Sequence, residues 1–206
     1  MLALLGWNPG TEQEIFSMSG LIDAFSIDRV HKSGSRFDPE KAKWFNHQYL
    51  MQRTNKQLAI EFREFLRIQG FHHDIGQLET LVGLVKDRVS FVSEIWNETD
   101  FFFKSPETYD KDAIKKRWKP ETPAQLLELK DVLAGIDDFK SDAMENKVKS
   151  WIEAKRYNTG AIMNAFRIVV VGASRGPQMF DIISWLGKEE TLKRIDKGVS
   201  AIGMSL

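Results

Sequence analysis

The chain has 206 residues, of which 42% are hydrophobic and 28% are charged, and its 29 basic and 29 acidic residues cancel. With no overall charge to attract nucleic acid or an anionic membrane, any such contact must be local. The absence of cysteine excludes disulfides, a thiol nucleophile and the usual structural zinc sites. No apolar run is long enough for a membrane span or a signal peptide, so we expect no membrane contact and an intracellular protein.

Helix signals begin at the N-terminus. The stretch "LALLGW" looks like the middle of a helix, as if the chain were excised from a longer protein. Thr11 and Glu14 have the spacing of a capping box. Asp38 followed by Pro39 predicts a helix start, because Asp is a good N-cap and proline suits the first helical position.

The periodic pattern continues to about residue 103. Apolar side chains between residues 54 and 69 recur at helical spacing, and Gly70 stands where a helix should end. A second periodic stretch covers residues 75–86. Ser90 is positioned to cap a further helix over 91–97.

An aromatic run then gives way to a Ser-Pro turn and charged residues, which predicts a boundary near Lys104–Asp112. Thr122 and Pro123 repeat the cap-plus-proline signal, and Ser141 precedes a long amphipathic helix. No alternation typical of strands is convincing, and there is no internal repeat. We therefore predict an all-α fold of stacked helices in two small units.

The stretch "RIVVVGASRGPQMF", residues 167–180, allows two interpretations. It could be a strand followed by a glycine-rich nucleotide loop, as in dehydrogenases. However, only 30 residues follow Gly176, too few for the further βα units that such a fold requires, and no third glycine follows at the needed spacing. We favour a buried helix ended by Gly172, with Pro177 opening a helix that Gly187 ends.

No side chains form a recognisable catalytic arrangement. The adjacent pair His72 and His73 lies in a predicted turn and makes a poor metal site, so we predict no metal. Two stretches, 111–119 and 147–156, are rich in Lys and Arg and contain Trp118 and Trp151. Such a surface can contact phosphates and stack bases, but a solvated helix face with both tryptophans in the core explains the pattern better.

Several motifs together resemble the C-terminal half of bacterial glutamyl-tRNA synthetases. They are "LALLGW", "EIFS", "FDPEKAKWFNHQYL", "FFF" and "AFRIVVVGASRGPQMFDIISWLGKEETLKRI". The matches of the third motif are Phe37, Asp38, Glu40, Lys41, Trp44, Asn46 and Tyr49. Those of the last are Arg167, Gly172, Gly176, Pro177, Phe180, Leu186, Gly187, Lys188 and Glu189.

The chain departs from the family pattern at a few positions, none of them a catalytic group. Phe166 replaces the usual leucine, three valines precede Gly172, and Ser19-Gly20 stands where acidic residues are commoner. The HIGH and KMSKS signatures of class I synthetases are both absent. The resemblance therefore implies that this chain is an anticodon-binding region of an enzyme. It also implies that the chain by itself does not aminoacylate tRNA.

The resemblance also implies a domain order and a set of RNA contacts. Residues 1–54 would end the region that contacts the tRNA stem, 55–106 would form a first anticodon-binding unit, and 107–206 a second. Arg88 falls where discriminating members place the arginine that reads the third anticodon base. The wall around the first two bases would include Arg167, Gly176, Pro177 and Met179, together with Lys149 from an approximately aligned helix. Contacts to the tRNA backbone would come from Lys115, Lys116 and Arg117.

By the same resemblance the partners are glutamate tRNA and an upstream catalytic domain of the same chain, where ATP and magnesium would act. This chain would hold no cofactor, and the enzyme would be a cytoplasmic monomer. Three alternatives stay open. The chain could be a helical protein-interaction module whose Trp and Phe residues form a groove, or a dehydrogenase-like nucleotide binder. Arg88 could also simply pair with Asp87 or Glu94 on a helix surface.

Overall fold

The computed structural model describes residues 2–31 and 37–204. Within these ranges the chain is all-α, as predicted, and one isolated bridge between Trp7 and Val30 is the sole β-type pairing. The helices are α1 (Met18–Ala24), α2 (Pro39–Gln52), α3 (Asn55–Ile68), α4 (Ile75–Val85), α5 (Glu94–Phe103), α6 (Lys111–Arg117), α7 (Thr122–Ala134), α8 (Ser141–Lys155), α9 (Thr159–Val171), α10 (Met179–Leu186) and α11 (Lys188–Gly203).

The N-terminal segment is less helical than its sequence indicates. "LALLGW" forms only a 3₁₀ turn over Leu2–Leu5, and the predicted capping box at Thr11 is wrong because residues 11–17 form no helix. The carboxylate of Glu14 instead pairs with Lys41 of α2. The first helix starts later, at α1, where the Ser17 side chain accepts from the Gly20 N–H at 3.1 Å.

Helices α2–α5 form the first helical group, and most of their boundaries follow local capping chemistry. Asp38 caps α2 as predicted, accepting from the N–H groups of Glu40 and Lys41. Thr54 and Gln57 form a reciprocal capping box at the start of α3. Gly70, with φ of 82°, follows the end of α3. The predicted apolar face of α3 is buried, with Leu58, Phe62 and Leu66 at 0% exposure.

The start of α5 differs from the prediction. Ser90 does not cap it, because the helix begins four residues later, at Glu94. The capping runs in the opposite direction: the Glu94 carboxylate accepts from the backbone N–H groups of Ser90 and Phe91, at 2.7 and 3.2 Å. A charged acceptor forms stronger hydrogen bonds to these two N–H groups than a neutral one would.

Residues 104–110 connect α5 to α6 without helical structure, and α6–α11 form the second helical group. The run of β-branched residues 168–171 is helical and buried, as predicted, because burial outweighs its modest helix-propensity cost. Gly172 ends α9 with φ of 88°. Pro177 does not open α10: the helix starts at Met179, and the side chain of Gln178 accepts from the Asp181 N–H.

The two helical groups share one hydrophobic core. Arg194 of α11 is 2% exposed and joins them, donating to the carbonyls of Phe101 in α5 and Val170 in α9 at 2.6 and 3.1 Å. The ring of His73 lies between those of Phe103 and Trp185, with centroids 5.0 and 5.4 Å away. This docking holds α4 and α5 against α10 and so brings together segments distant in sequence.

Candidate nucleic-acid interface

Arg88 ends the 3₁₀ turn Lys86–Arg88 that follows α4, and its side chain reaches the second helical group. Its Nη1 donates to the carbonyl oxygen of Gly176 at 2.9 Å. The alternative that Arg88 pairs with Asp87 or Glu94 is wrong, since neither forms an ion pair with it in the described part of the chain. One bond to a carbonyl leaves other donors of the guanidinium available, because arginine has five N–H groups.

Arg167 of α9 approaches the same turn from the other side. Its Nη1 donates to the carbonyl oxygen of Arg175 at 2.9 Å. Burial lowers the pKa of Arg167 from its ordinary value, and the nearby positive charge of Arg88 lowers that pKa further. Among residues 2–31 and 37–204 neither arginine has an acidic partner within salt-bridge distance. Two cations therefore lie close together without neutralisation.

The turn between them, residues 172–178, is fixed by its glycines and by Arg175. Gly176 has φ of 97°, and a Cβ there would lie 2.8 Å from Cζ of Phe101, so only glycine fits. Arg175 donates to the carbonyl of Asn97 and, at 2.6 Å, to the carboxylate of Asp100. Its guanidinium also lies 5.2 Å from the centre of the Phe101 ring. The turn is thereby attached to α5.

A cavity of about 240 Å³ opens beside this turn, between α8, α9 and α10. Its volume equals that of about eight water molecules at roughly 30 Å³ each, which is room for a planar ring. Apolar and polar side chains both line it: Glu145, Val148, Lys149, Ile152, Thr159, Met163, Arg167, Gln178, Met179 and Phe180. Glu145 accepts from Lys149 at 2.6 Å and from Gln178 at 2.9 Å, which positions both donors at the rim.

The residues singled out in the sequence thus fall into three sets. Arg88, Arg167 and Gly176 meet at the turn, and Lys149 lines the cavity with Arg167. Pro177 and Met179 are both buried, and of the two only Met179 lines the cavity. The exposed Lys115, Lys116 and Arg117, in the last turn of α6, are not among the residues that line the cavity.

Four of the tryptophans do not form an open stacking surface, whereas Trp44 is 43% exposed. Trp118 and Trp151 are partly buried and pack against the hydrophobic core. Trp96 and Trp185 also pack there, in ring contacts with Phe103 at 5.8 and 5.6 Å. This favours the interpretation of the two basic stretches as helix faces over a buried aromatic core.

Sequence reasoning missed two contributors to the site. Arg175 lies within the glycine-rich stretch, but nothing in the sequence shows that it reaches α5, 75 residues earlier. Glu145 gave no signal beyond its i, i+4 spacing to Lys149, which is typical of ordinary helix-surface pairs.

A larger cavity of about 860 Å³ lies under the 104–110 connection and shares Gly172, Ala173 and Arg175 with the turn. Two of its charged residues are paired within the protein: Arg175 with Asp100, and Lys197 with the carbonyl of Pro106 at 2.8 Å. In residues 2–31 and 37–204 no cluster of three or more His, Cys, Asp or Glu side chains could hold a metal ion. Over the same residues no helix is long and apolar enough to cross a membrane.

Comparison with known proteins agrees with this geometry. The family profile described as "Anticodon binding domain" matches residues 50–199, and the chain belongs to this family. More particularly, it is similar to glutamate–tRNA ligases. It is 48% identical to that of Phocaeicola vulgatus and 49% identical to that of Flavobacterium johnsoniae, in each case over 98% of this chain and 40% of the relative. The chain thus spans about two fifths of the length of these relatives.

Solved structures give the same result. The crystal structure of a glutamate tRNA ligase from Elizabethkingia meningosepticum in complex with its amino acid matches with a TM-score of 0.93 and 38% identity. The match covers 97% of this chain and 39% of that one. Glutamate-tRNA synthetase from Elizabethkingia anophelis matches with a TM-score of 0.90 and 35% identity, with the same coverage. The helical fold is that of the corresponding part of these enzymes.

Proposed function

We propose that this chain recognises the anticodon of glutamate tRNA as part of a glutamate–tRNA ligase. The observation that carries the proposal is the convergence of Arg88 and Arg167 on one turn, with no acidic partner for either in the described residues. Two such cations favour a ligand rich in hydrogen-bond acceptors, and unstacked RNA bases present such edges. The family match and the relatives support the same assignment.

Arg88 reads the third anticodon base in this proposal. Glutamate and glutamine anticodons differ there, with cytosine in the first and guanine in the second. A guanidinium only donates hydrogen bonds, so it suits the acceptor edge of cytosine. Guanine would bring its own donors and a larger ring into the same space.

The cavity beside the turn then receives one of the first two bases. Arg167 and Lys149 supply donors at its edge, while Met179 supplies an apolar wall against which a ring can pack. Gly176 and Pro177 shape the turn that separates this cavity from Arg88. The two places would thus read neighbouring bases of one splayed loop.

The remaining parts of the proposal concern the RNA backbone and the rest of the enzyme. Lys115, Lys116 and Arg117 are exposed and would contact phosphates. ATP and magnesium would act in a catalytic part outside this chain. We propose that the whole enzyme attaches glutamate to its tRNA as a monomer in the cytoplasm.

Anticodon binding can be tested with two stem-loop RNAs that share a stem, one with the glutamate anticodon loop and one with an unrelated loop. We expect binding of the first to be tighter and to weaken modestly with salt, because the chain is neutral overall. Arg167→Gln should weaken binding of the anticodon loop by about tenfold, as for loss of a good base contact. Fluorescence anisotropy measures both affinities.

Arg67→Gln is a matched control, since Arg67 is exposed on α3 and pairs only with Glu64 at 3.0 Å in the described residues. It should leave both affinities unchanged. Equal binding of the two loops by the unaltered chain would contradict anticodon recognition. Copurification of a protein partner with no RNA retained would favour the interaction module instead.

A further inference from the structure

Helix α2 forms hydrogen bonds to the segment that carries Arg88. The side-chain amide of Asn46 donates to the carbonyl of Ser90. Nδ1 of His47 lies 2.8 Å from the carbonyl oxygen of Val89, and because a carbonyl can only accept, Nδ1 must be the donor. These two adjacent residues therefore hold the carbonyl groups of the two residues that follow Arg88.

The same segment is held from its other end and from α5. Nζ of Lys86 donates to the backbone carbonyls of Met51, at 3.0 Å, and Arg53, just after α2. The Glu94 carboxylate accepts from the N–H groups of Ser90 and Phe91. The side chain of Lys86 before Arg88 and the bonds to the backbone of residues 89–91 after it thus fix where the Arg88 side chain begins.

The direction of Arg88 depends on this arrangement. Val89 is 1% exposed and anchors the backbone in the core, while the neighbouring Arg88 side chain extends to Gly176. A small shift of residues 88–90 would move the guanidinium relative to the turn and to any base bound there. Base discrimination is sensitive to such shifts, because hydrogen bonds weaken steeply with distance and angle.

We infer that α2 is a positioning element for base reading, with Asn46 and His47 as positioning residues that act through Arg88. The inference rests on the proposed function. It connects the region before the anticodon-binding units to selectivity at the third base. Neither residue contacts Gly176 or the cavity, so their influence on the RNA passes through the backbone of residues 88–90.

A double-mutant cycle on the 206-residue chain tests this. Two stem-loops are used whose third anticodon base is either cytosine or guanine. The affinity of each is measured for the unaltered chain, Asn46→Asp, Arg88→Gln and the double variant. Asn46→Asp keeps the shape of the side chain but faces the Ser90 carbonyl with an acceptor. We expect it to lower the cytosine-to-guanine affinity ratio by about three- to tenfold, within the range of coupled neighbours. In the Arg88→Gln background it should change the ratio no further.

Two further variants complete the test. His47→Phe removes the other donor while keeping a ring, and should lower the ratio in the same way if Asn46→Asp does not fold. Gln48→Ala, on the same helix, is the control and should leave the ratio unchanged. An unchanged ratio in both Asn46→Asp and His47→Phe, or an effect that persists without Arg88, would overturn the inference. A wild-type ratio of one, unaffected by Arg88→Gln, would overturn the proposed function and the inference with it.

Discussion

Three arginines of the candidate site, Arg88, Arg167 and Arg175, each donate to a backbone carbonyl. A carbonyl orients a guanidinium without neutralising it, so Arg88 and Arg167 stay cationic at the turn. Arg175 differs because it also pairs with Asp100, and it serves to attach the turn to α5. The resemblance indicated Arg88 and Arg167. Their carbonyl partners could not be predicted, because every residue has a backbone carbonyl and the sequence does not distinguish one from another.

A substitution at Gly176 tests how closely the turn between the arginines packs against its surroundings. Gly176→Ala should destabilise the fold by about 1 kcal/mol from its positive φ, plus about 1–3 kcal/mol from the clash with Phe101. Gly70→Ala is the matched control, since Gly70 has φ of 82° and open space where a Cβ would lie. Urea unfolding should show the larger loss at Gly176. Equal losses would mean that the close approach to Phe101 is not restrictive.

At the scale of helices and turns, capping chemistry decides most boundaries. Starts at Asp38 and Thr54 and the end at Gly172 were predictable, because the cap and its partner lie within a few residues. The predictions at Thr11 and Ser90 were wrong. In both places another group takes the hydrogen-bonding or ion-pair role that the local cap was expected to fill. Glu14 pairs with Lys41, 27 residues away, and Glu94 takes the role assigned to Ser90.

Glu94 gives an element-scale prediction of pH dependence. Its hydrogen bond from the Ser90 backbone, the largest cause, lowers the pKa of Glu94 below 4.5. A lowered folded pKa means that the carboxylate stabilises the fold fully above pH 4.5 and less as pH falls through the folded value. Glu94→Gln should therefore lose about 1 kcal/mol near neutral pH, and the difference from wild type should shrink below pH 4.5.

Urea unfolding at a series of pH values measures this difference. Glu64→Gln is the control, because Glu64 is 55% exposed and pairs only with arginines on its own helix in the described residues. Its effect should stay within about 0.5 kcal/mol throughout. A Glu94→Gln difference that is constant from neutral to acidic pH would show that the ionised carboxylate is not what organises the 90–94 turn.

At the scale of the whole molecule, the site exists only because the two helical groups dock. The all-α class and the break after residue 103 followed from periodicity and composition. The sequence does not contain a local signal that Arg88 lies beside Gly176, because that contact depends on packing of α4 and α5 against α10. The resemblance assigned both residues to anticodon recognition, but it did not predict that they contact each other.

The effect of substituting Arg194 on stability tests the docking of the two helical groups directly. Arg194→Met should destabilise the fold by about 2–3 kcal/mol, because the buried carbonyls of Phe101 and Val170 lose their donor. Arg67→Met, on an exposed surface, should change stability by at most about 0.5 kcal/mol. Thermal or urea unfolding followed by circular dichroism measures both. Similar small effects would mean that the carbonyls find other donors and that Arg194 does not join the two groups.

In the proposed function, Arg88 selects the third anticodon base. The most direct measurement is the ratio of affinities for two stem-loops that differ only in cytosine or guanine at that position, before and after Arg88→Gln. Glutamine keeps most of the reach but removes the charge and adds an acceptor, so guanine should become tolerable. We predict that the ratio falls by an amount equivalent to about 1–3 kcal/mol. If the ratio stays constant while both affinities fall together, Arg88 contacts only phosphate and the account of base reading is wrong.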